Sequence, residues 1–501
     1  MLKEALIENG YTFKSDTDTE VLVNLIEYIR TSNNCTLLEA VQQALKQVIG
    51  AYAIAVVEKG NQDQIIAARR SSPMVIGIGD KEFFLASDAA SIVEYTDKIV
   101  YVNDGEVVVM DRNHPLKIVT LDNQESKIDI KKLQLSISQL EKGGYPHFML
   151  KEIMEQPRAV EATITPRIRN GEIVLDDLNI DLSQIHKIVI TACGSAYYAG
   201  CAGKYTIEKL CRIPVTTELA SELRYADPLI DGHTLLIVLS QSGETADTIA
   251  AMKECQRRGA KALAIVNVVG STIAKIADYT LYTWAGPEIA VATTKGYTTQ
   301  LTVLYLFALY AAKSLGTVEG KEYKRLLTAL RSLPKQMQTA LDMNPAIPAL
   351  AKKYHSSPSM FFIGRNTDYA VALEGALKMK EISYIHAESY AAGELKHGTI
   401  ALIYEGQPVI ALCCNDAVME KTMSNIVEVK ARGAEVLAVA FKGNGKIVSL
   451  ADDMIFVPKI DPLLCAVAEI VPLQLLAYYV AKENGCDIDK PKNLAKSVTV
   501  E

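Results

Sequence analysis

The distribution of apolar positions divides the chain near residue 159. Before it, stretches with helical spacing at 2–9, 20–31 and 37–48 are followed by short β-rich runs at 51–58, 64–68, 74–78, 82–86, 99–102 and 106–111. Thr17-Asp18-Thr19 offers an N-cap ahead of the second helix. Lys59-Gly60-Asn61 and Asn103-Asp104-Gly105 supply turns. The pattern is α+β and opens on a helix with no strand before it, so a partner for its β layer is expected to be missing. A more polar bridge at 135–158, broken at Gly143-Gly144-Tyr145-Pro146, is expected to be a linker.

Beyond the bridge, strands and helices alternate. Strands are predicted at 187–192, 234–239 and 262–266, with helices at 199–211 and 246–258. The order then repeats: strands at 360–363, 408–412 and 436–439, a helix through Glu374, and a helix at 419–431. Arg258-Gly259-Ala260 before one strand matches Arg432-Gly433-Ala434 before its counterpart. Alternation of this kind predicts parallel sheets with crossover helices, so the fold class is α/β, with one domain duplicated at 159–325 and 345–480. Ligands of such sheets lie at the carboxyl ends of the strands. The last stretch, 481–501, has a loop-like composition that suits a frayed tail, but Leu494, Val498 and Val500 could pin it to a body.

Composition narrows the class. The 501 residues are 49% hydrophobic and 22% charged, enough for about three domains. A net charge of −7, a single Trp and scattered basic residues argue against a nucleic-acid platform. The nine cysteines form no CxxC pair, and a reduced, cytoplasmic setting is expected. No export signal is visible in the first residues, and the longest apolar stretch, 303–312, is too short to span a membrane.

Two stretches carry candidate chemistry. Glu374, Lys378 and Glu381 are spaced i, i+4 and i+7 and fall within roughly 60° on one helical face. A turn region follows, in which small residues at 391–393 lead to His397. Two carboxylates, an ammonium and an imidazole could converge there for acid–base work on a polar small molecule; the same spacing also suits a solvated helix face with one ion pair. Ser240-Gln241-Ser242-Gly243-Glu244-Thr245 joins a strand to a helix. Its hydroxyls and the helix N-terminus make a phosphate cradle without lysine, or a helix cap formed by Ser242 and Thr245. Cys193-Gly194-Ser195 is a second strand end of this kind. No Walker, HExxH or GxSxG motif is present, and no metal site is expected.

The stretches SDTDTEV (15–21), EIMEQP (152–157), ACGSAYYAG (192–200), SQSGETADT (240–248), AGPEIAVATTKGYTTQ (285–300), LEGALKMKEISYIHAESYAAGELKHG (373–398) and NLAKSVTVE (493–501) resemble the glutamine–fructose-6-phosphate aminotransferase (isomerising), or glucosamine-6-phosphate synthase, family over the whole chain. The resemblance implies a partial, Ntn-type amidotransferase domain (1–134), two SIS domains, and a tail (481–501) that closes the sugar site. It implies that Ser195, Ser240, Gln241, Ser242 and Thr245 hold the phosphate of fructose 6-phosphate. Val291, Thr293 and Ala495 would touch the sugar. Lys496 would form a Schiff base at C2, a role that asks for an amine freed by desolvation or nearby cations. Glu381 would move the proton between C1 and C2. His397, from a neighbouring subunit, would assist ring opening, with Glu374 and Lys378 orienting the site. A homodimer, L-glutamine as nitrogen donor and no cofactor are implied.

Three departures stand out. Ser195-Ala196 replaces the family's usual Thr-Ser and removes one hydroxyl, worth ~1.5–3 kcal/mol if charge-assisted. Thr399 stands two residues after His397, where the family usually has proline. The family's N-terminal cysteine segment has no counterpart here, leaving Asp18 as the matching glutamine contact, so an N-terminally truncated chain without glutamine hydrolysis is expected. Two further readings share the SIS pattern. One is a glutamine-independent glucosamine-6-phosphate deaminase or deglycase, against which segment 1–134 weighs. The other is a non-catalytic sugar-phosphate sensor, against which the joint presence of Lys496, Glu381 and His397 weighs.

Overall fold

The computed structural model describes residues 2–70, 72–87, 89–133, 141–176 and 178–498. They fall into two compact units, 2–133 and 141–498.

In the first unit, helices α1 (Leu2–Glu8), α2 (Asp18–Asn33) and α3 (Leu37–Leu45) precede eight strands: β1 (Tyr52–Glu58), β2 (Asn61–Arg70), β3 (Val75–Ile78), β4 (Phe83–Ala86), β5 (Lys98–Tyr101), β6 (Glu106–Asp111), β7 (Lys117–Thr120) and β8 (Lys131–Lys132). Thr17 caps α2 by accepting from the Glu20 N–H, and Thr36 forms a capping box with Glu39 on α3. The strands make two antiparallel four-stranded sheets, β1-β2-β6-β7 and β4-β3-β5-β8. Period-two alternation explains the layering. Ile66, Ala68, Val107 and Val109 pack under the helices with Leu25, Ile29, Val41 and Leu45. The intervening Ala67, Val108 and Met110 pack with Ile76 and Val100 of the second sheet. The first sheet is therefore covered on both faces, so its β layer does have a partner.

In the second unit the bridge expected to be a linker carries helix α4 (Phe148–Ile164); positions 134–140 lie outside the described residues. Pro157 is inside this helix. Its missing N–H leaves the Ile153 carbonyl without a helical partner, and the Gln156 side-chain amide donates to that carbonyl at 3.1 Å. The helix starts on a remote cap: Asp489 accepts from the N–H groups of Phe148 and Met149, both at 3.0 Å.

A short hairpin, β9 (Ile168–Arg169) and β10 (Glu172–Ile173), leads to the first repeat: β11 (Lys187–Ala192), α5 (Gly194–Cys211), β12 (Val215–Leu219), α6 (Ala220–Leu223), β13 (Thr234–Ser240), α7 (Ala246–Arg257), β14 (Lys261–Val266), α8 (Thr272–Ile276) and β15 (Tyr279–Tyr282). Three helices follow, α9 (Lys295–Ser314), α10 (Gly320–Asp342) and α11 (Ile347–Tyr354). The second repeat is β16 (Ser359–Gly364), α12 (Thr367–Ser383), β17 (His386–Ala391), β18 (Pro408–Cys413), α13 (Met419–Lys430), β19 (Glu435–Phe441), α14 (Gly445–Val448) and β20 (Asp453–Val457), closed by α15 (Ala466–Glu483). The sheets run β12-β11-β13-β14-β15 and β17-β16-β18-β19-β20, every pair parallel. The duplication expected from the sequence is therefore complete in strand order.

The sequence pattern assigns no element to α9, α10, α11 or α15. Helix α9 is buried nearly all round and so has no polar face to set a period. Helices α10 and α15 contain Pro334 and Pro472. The turn region expected after α12 is the edge strand β17, polar and only partly buried. No helix among the described residues is long and apolar enough to cross a membrane.

The Asp489 cap gives a direct test. Asp489→Ala should lower stability by about 1–2 kcal/mol, the cost of a lost N-cap, and Asp489→Asn by clearly less. Denaturant midpoints at unchanged slope would read this; equal midpoints for all three proteins would count against the cap.

Candidate active site

The site is assembled on unit 141–498 from four pieces of chain. The first is the strand end of β13. Gly243 there has φ +69°, and a Cβ on it would lie 2.1 Å from Ser271 Oγ, so only glycine fits. Ser240 Oγ accepts from the Gly243 N–H at 2.9 Å and lies 3.1 Å from Thr245 Oγ1. Ser242 Oγ accepts from the Glu244 N–H at 3.2 Å. Thr245 stands at the N-cap of α7 without a side-chain cap bond, so the loop is not a capping box. Ser195, in the first turn of α5, is buried.

The second piece is the tail. Ser497 Oγ is 3.0 Å from Ser242 Oγ, and the Ala246 N–H that opens α7 donates to the Val498 carbonyl at 3.1 Å. The tail is thus fastened by polar bonds to the hydroxyl loop. Leu494 and Val498 are exposed and do not pin it; Val500 lies outside the described residues. Lys496 Nζ donates to Glu288 Oε2 at 2.9 Å and to the Ala290 carbonyl at 2.7 Å.

The third piece is the loop between β15 and α9. Glu288 is buried and accepts from Thr293 Oγ1 and from the N–H groups of Thr294 (2.8 Å) and Gly296 (3.0 Å). Burial alone would raise its pKa, but the Lys496 ammonium and these donors hold it down at about 2. Glu152 on α4 accepts from the Ile289 and Ala290 N–H groups. Burial first, then the charge of Glu288, pushes Glu152 up to about 8. One proton is therefore shared out unequally: Glu152 keeps it and Glu288 stays charged. Of the two expected ways to free the Lys496 amine, desolvation or nearby cations, its direct contacts supply no cation: they are a carboxylate and a carbonyl. The Val291 N–H donates to the Asp489 carbonyl at 3.0 Å, which ties this loop to the residue that caps α4. Ala495 is exposed.

The fourth piece is α12, which presents Glu374, Lys378 and Glu381 on one face as the spacing predicts. Glu374 and Lys378 are fully buried and Glu381 is 23% exposed. Lys378 Nζ lies 3.5 Å from Glu374 Oε1 and in direct contact with Glu381. Burial opposes the Lys378 charge, but the two carboxylates outweigh it and raise its pKa. Burial also pushes Glu374 up to about 8, with Glu381 adding and Lys378 and the Ser195 hydroxyl opposing. Lys378 also feels the charge of Glu288, which links the helix to the tail cluster.

His397 does not join this group within the chain. It is exposed on a 3-10 turn, Leu395–His397, where its backbone N–H donates to the Glu394 carbonyl at 2.9 Å. Asp18 is exposed at the start of α2. Sequence reasoning missed Glu288, Glu152, Asp489 and Ser497. Glu152 and Glu288 lay inside stretches noted for their resemblance, but an isolated acid in an apolar run carries no spacing signal. The arrangement offers hydroxyls and backbone donors for an anion, a lysine amine, and a partly open carboxylate.

A family profile described as SIS domain matches residues 181–310 and 353–482. One described as Glutamine amidotransferase domain matches residues 1–94. A Clostridium tetani protein named glutamine–fructose-6-phosphate aminotransferase [isomerizing] is 49% identical over 504 residues, covering 100% of this chain and 82% of its own length. A Bacteroides thetaiotaomicron protein of the same name is 50% identical over 506 residues with the same coverage. Among solved structures, the C-terminal domain of glucosamine-fructose-6-phosphate aminotransferase from Francisella tularensis superposes with TM-score 0.68 at 38% identity, covering 70% of this chain and 100% of that one. A glucosamine-6-phosphate deaminase from Thermotoga maritima, at TM-score 0.56 and 24% identity over 70% of this chain and 99% of its own, shares the fold alone.

The raised Glu374 carboxyl sets a pH signature. It binds its proton more tightly folded than unfolded, so its contribution to stability is complete below about 4.5 and is lost as pH rises through about 8. Between those limits the wild type should lose stability relative to Glu374→Gln, by at most about 1.4 kcal/mol per pH unit. Parallel stability–pH curves for the two proteins would contradict this.

Proposed function

Because the chain belongs to the glutamine–fructose-6-phosphate aminotransferase (isomerising) family, with 49% identity across all of its length, we propose that its second unit binds fructose 6-phosphate and converts it toward glucosamine 6-phosphate, with glutamine as the nitrogen donor. The observation that carries this reading is the Lys496 amine held at a buried carboxylate beside the Ser240–Thr245 hydroxyl loop.

The proposed division of labour follows the geometry. Ser240, Gln241, Ser242 and Thr245, with Ser195, hold the phosphate by hydroxyls and N–H groups. Val291, Thr293 and Ala495 line the sugar. Lys496 attacks the C2 carbonyl of the open-chain sugar; a C–N bond forms, water leaves, and a Schiff base results. Glu288 positions that lysine. Glu381, the acid of the helix that solvent reaches, takes the proton from C1 and returns it to C2. Lys378, in direct contact with Glu381, orients that carboxylate, and Glu374 orients Lys378. Asp18 contacts the glutamine amine. On this reading 1–134 is the amidotransferase part, 159–325 and 345–480 are the sugar-phosphate domains, and 481–501 closes the site. The nine cysteines are all free, which supports a cytoplasmic setting.

Fructose 6-phosphate should be converted to glucose 6-phosphate without glutamine. Lys496→Ala or Glu381→Gln should lower that rate 10²–10⁴-fold, roughly the worth of a positioned acid–base group. Retained sugar-phosphate binding with no turnover in the wild type would instead favour the sensor reading.

The exposed ring of His397, outside the Glu374–Lys378–Glu381 group of its own chain, supports a homodimer in which each site takes the partner subunit's His397. Mixing inactive His397→Ala with inactive Lys496→Ala protein should then restore part of the activity, because one mixed site would hold both groups. No recovery after verified subunit exchange would put His397 in its own chain's site.

A further inference from the structure

A buried cluster behind α12 takes no part in the sugar chemistry. Asp368 lies in the first turn of α12, Cys465 at the N-cap of α15 and Glu469 in the first turn of α15. One donor atom from each, two carboxylate oxygens and a thiol sulfur, lies within 4.8 Å of the other two. All three residues are at most 1% exposed. Asp368 Oδ2 accepts from the Cys414 and Asn415 N–H groups at 3.0 and 3.1 Å. Asp368 Oδ1 has no hydrogen-bond partner, and the side-chain partner that Glu469 has is the Cys414 thiol.

Among the described residues, no lysine, arginine or histidine answers these acids. The charged neighbour that Glu469 feels is Asp368, and the one that Asp368 feels is Asp416. The contrast with Glu374, which has Lys378 at 3.5 Å, is direct. Buried carboxylates without a counter-charge cost several kcal/mol, so the cluster either holds protons, which burial favours at both acids, or takes a positive partner from outside the chain. The donor set selects it. Magnesium and calcium keep to oxygen ligands, whereas sulfur with carboxylate suits zinc or a similar first-row ion. Donor atoms around tetrahedral zinc stand about 3.5 Å apart, within reach of small side-chain rotations here.

We propose that Asp368, Cys465 and Glu469 form a structural site for one divalent transition-metal ion of the zinc type. Cys414, whose side chain adjoins Glu469, stands outside this set of mutually close donors. Binding releases the thiol proton of Cys465, and any proton held between the carboxyls, to solvent. The ion joins the N-terminal turns of two helices. One carries Glu374, Lys378 and Glu381; the other leads into the tail that carries Lys496. The buried phenol of Tyr297 feels both Glu374 and Glu469, so the cluster and the Glu374–Lys378–Glu381 group share a neighbour.

The test is metal content. The full 501-residue chain, purified without a histidine tag and dialysed against metal-free buffer, is unfolded in the presence of a chromogenic zinc indicator. Wild type should release about one zinc per chain, and Glu469→Gln and Cys465→Ser at least tenfold less. Because either variant could fail to fold, the wild type is also produced with cobalt. A thiolate-to-cobalt charge-transfer band in the folded protein supports the site. Release from the wild type no greater than from folded variants, or no zinc and no thiolate band in the wild type, overturns it; a proton shared by Asp368 and Glu469 then fills the cluster.

Discussion

The second unit depends on keeping one ammonium group, that of Lys378, charged where water is absent. Lys378 is fully buried, a position an isolated lysine holds only by losing its proton. It stays charged because the Glu381 carboxylate contacts it directly, with Glu374 adding its charge as pH rises through about 8. Lys496 is held against Glu288, and Lys378 feels Glu288 as well. The result is an alternation of charge that crosses from the tail to α12. Each pair comes from distant parts of the chain or from successive turns of one helix, so no local segment can make the set alone. Removing one member would leave its neighbour buried and unpaired, which costs more than the pair contributes. This is why α12, the 288–296 loop and the tail have to be held in one geometry.

How much of this the sequence revealed follows from period and reach. Periods were legible: the face carrying Glu374, Lys378 and Glu381 and the strand–helix repeat appear where spacing placed them. Edge strands such as β17 were not legible, because a strand paired on one side needs no continuous apolar run. Helix α4 was hidden by Pro157, whose cost is offset by the Gln156 amide at the freed carbonyl. Glu288 and Asp489 were hidden for a different reason. Each acts on groups brought near only by folding: Glu288 on Lys496, 208 positions away, and Asp489 on the N–H of Phe148, 341 positions away.

The two repeats share backbone geometry and divide the chemistry. Gly259 and Gly433, the most evident internal match, both have positive φ, 106° and 87°, at the turn that ends a crossover helix. They are alike because the turn demands it. The functional groups are not alike. In the first repeat the strand end of β13 offers hydroxyls and the N-terminus of α7. In the second, α12 offers two carboxylates and an ammonium. An internal match therefore locates the scaffold, and the chemistry has to be sought where the copies differ.

The tail shows how such a divided site is closed. Its apolar anchor lies upstream, at the buried Ile488 and Pro491, and beyond them Leu494 and Val498 stay exposed. It is held by polar contacts to what it serves: Ser497 to Ser242, Val498 to the first N–H of α7, Lys496 to Glu288. Upstream, Asp489 grips α4 through its carboxylate and the 291 loop through its carbonyl. These bonds lie beside the Ser240–Thr245 loop, so on the proposed reading phosphate arriving there meets hydroxyls and an N–H already engaged by the tail. The donors are held in place before the anion arrives, and exchanging a Ser497 hydroxyl or a carbonyl for a phosphate oxygen needs little rearrangement. The same contacts keep the Lys496 amine within reach of whatever the loop holds.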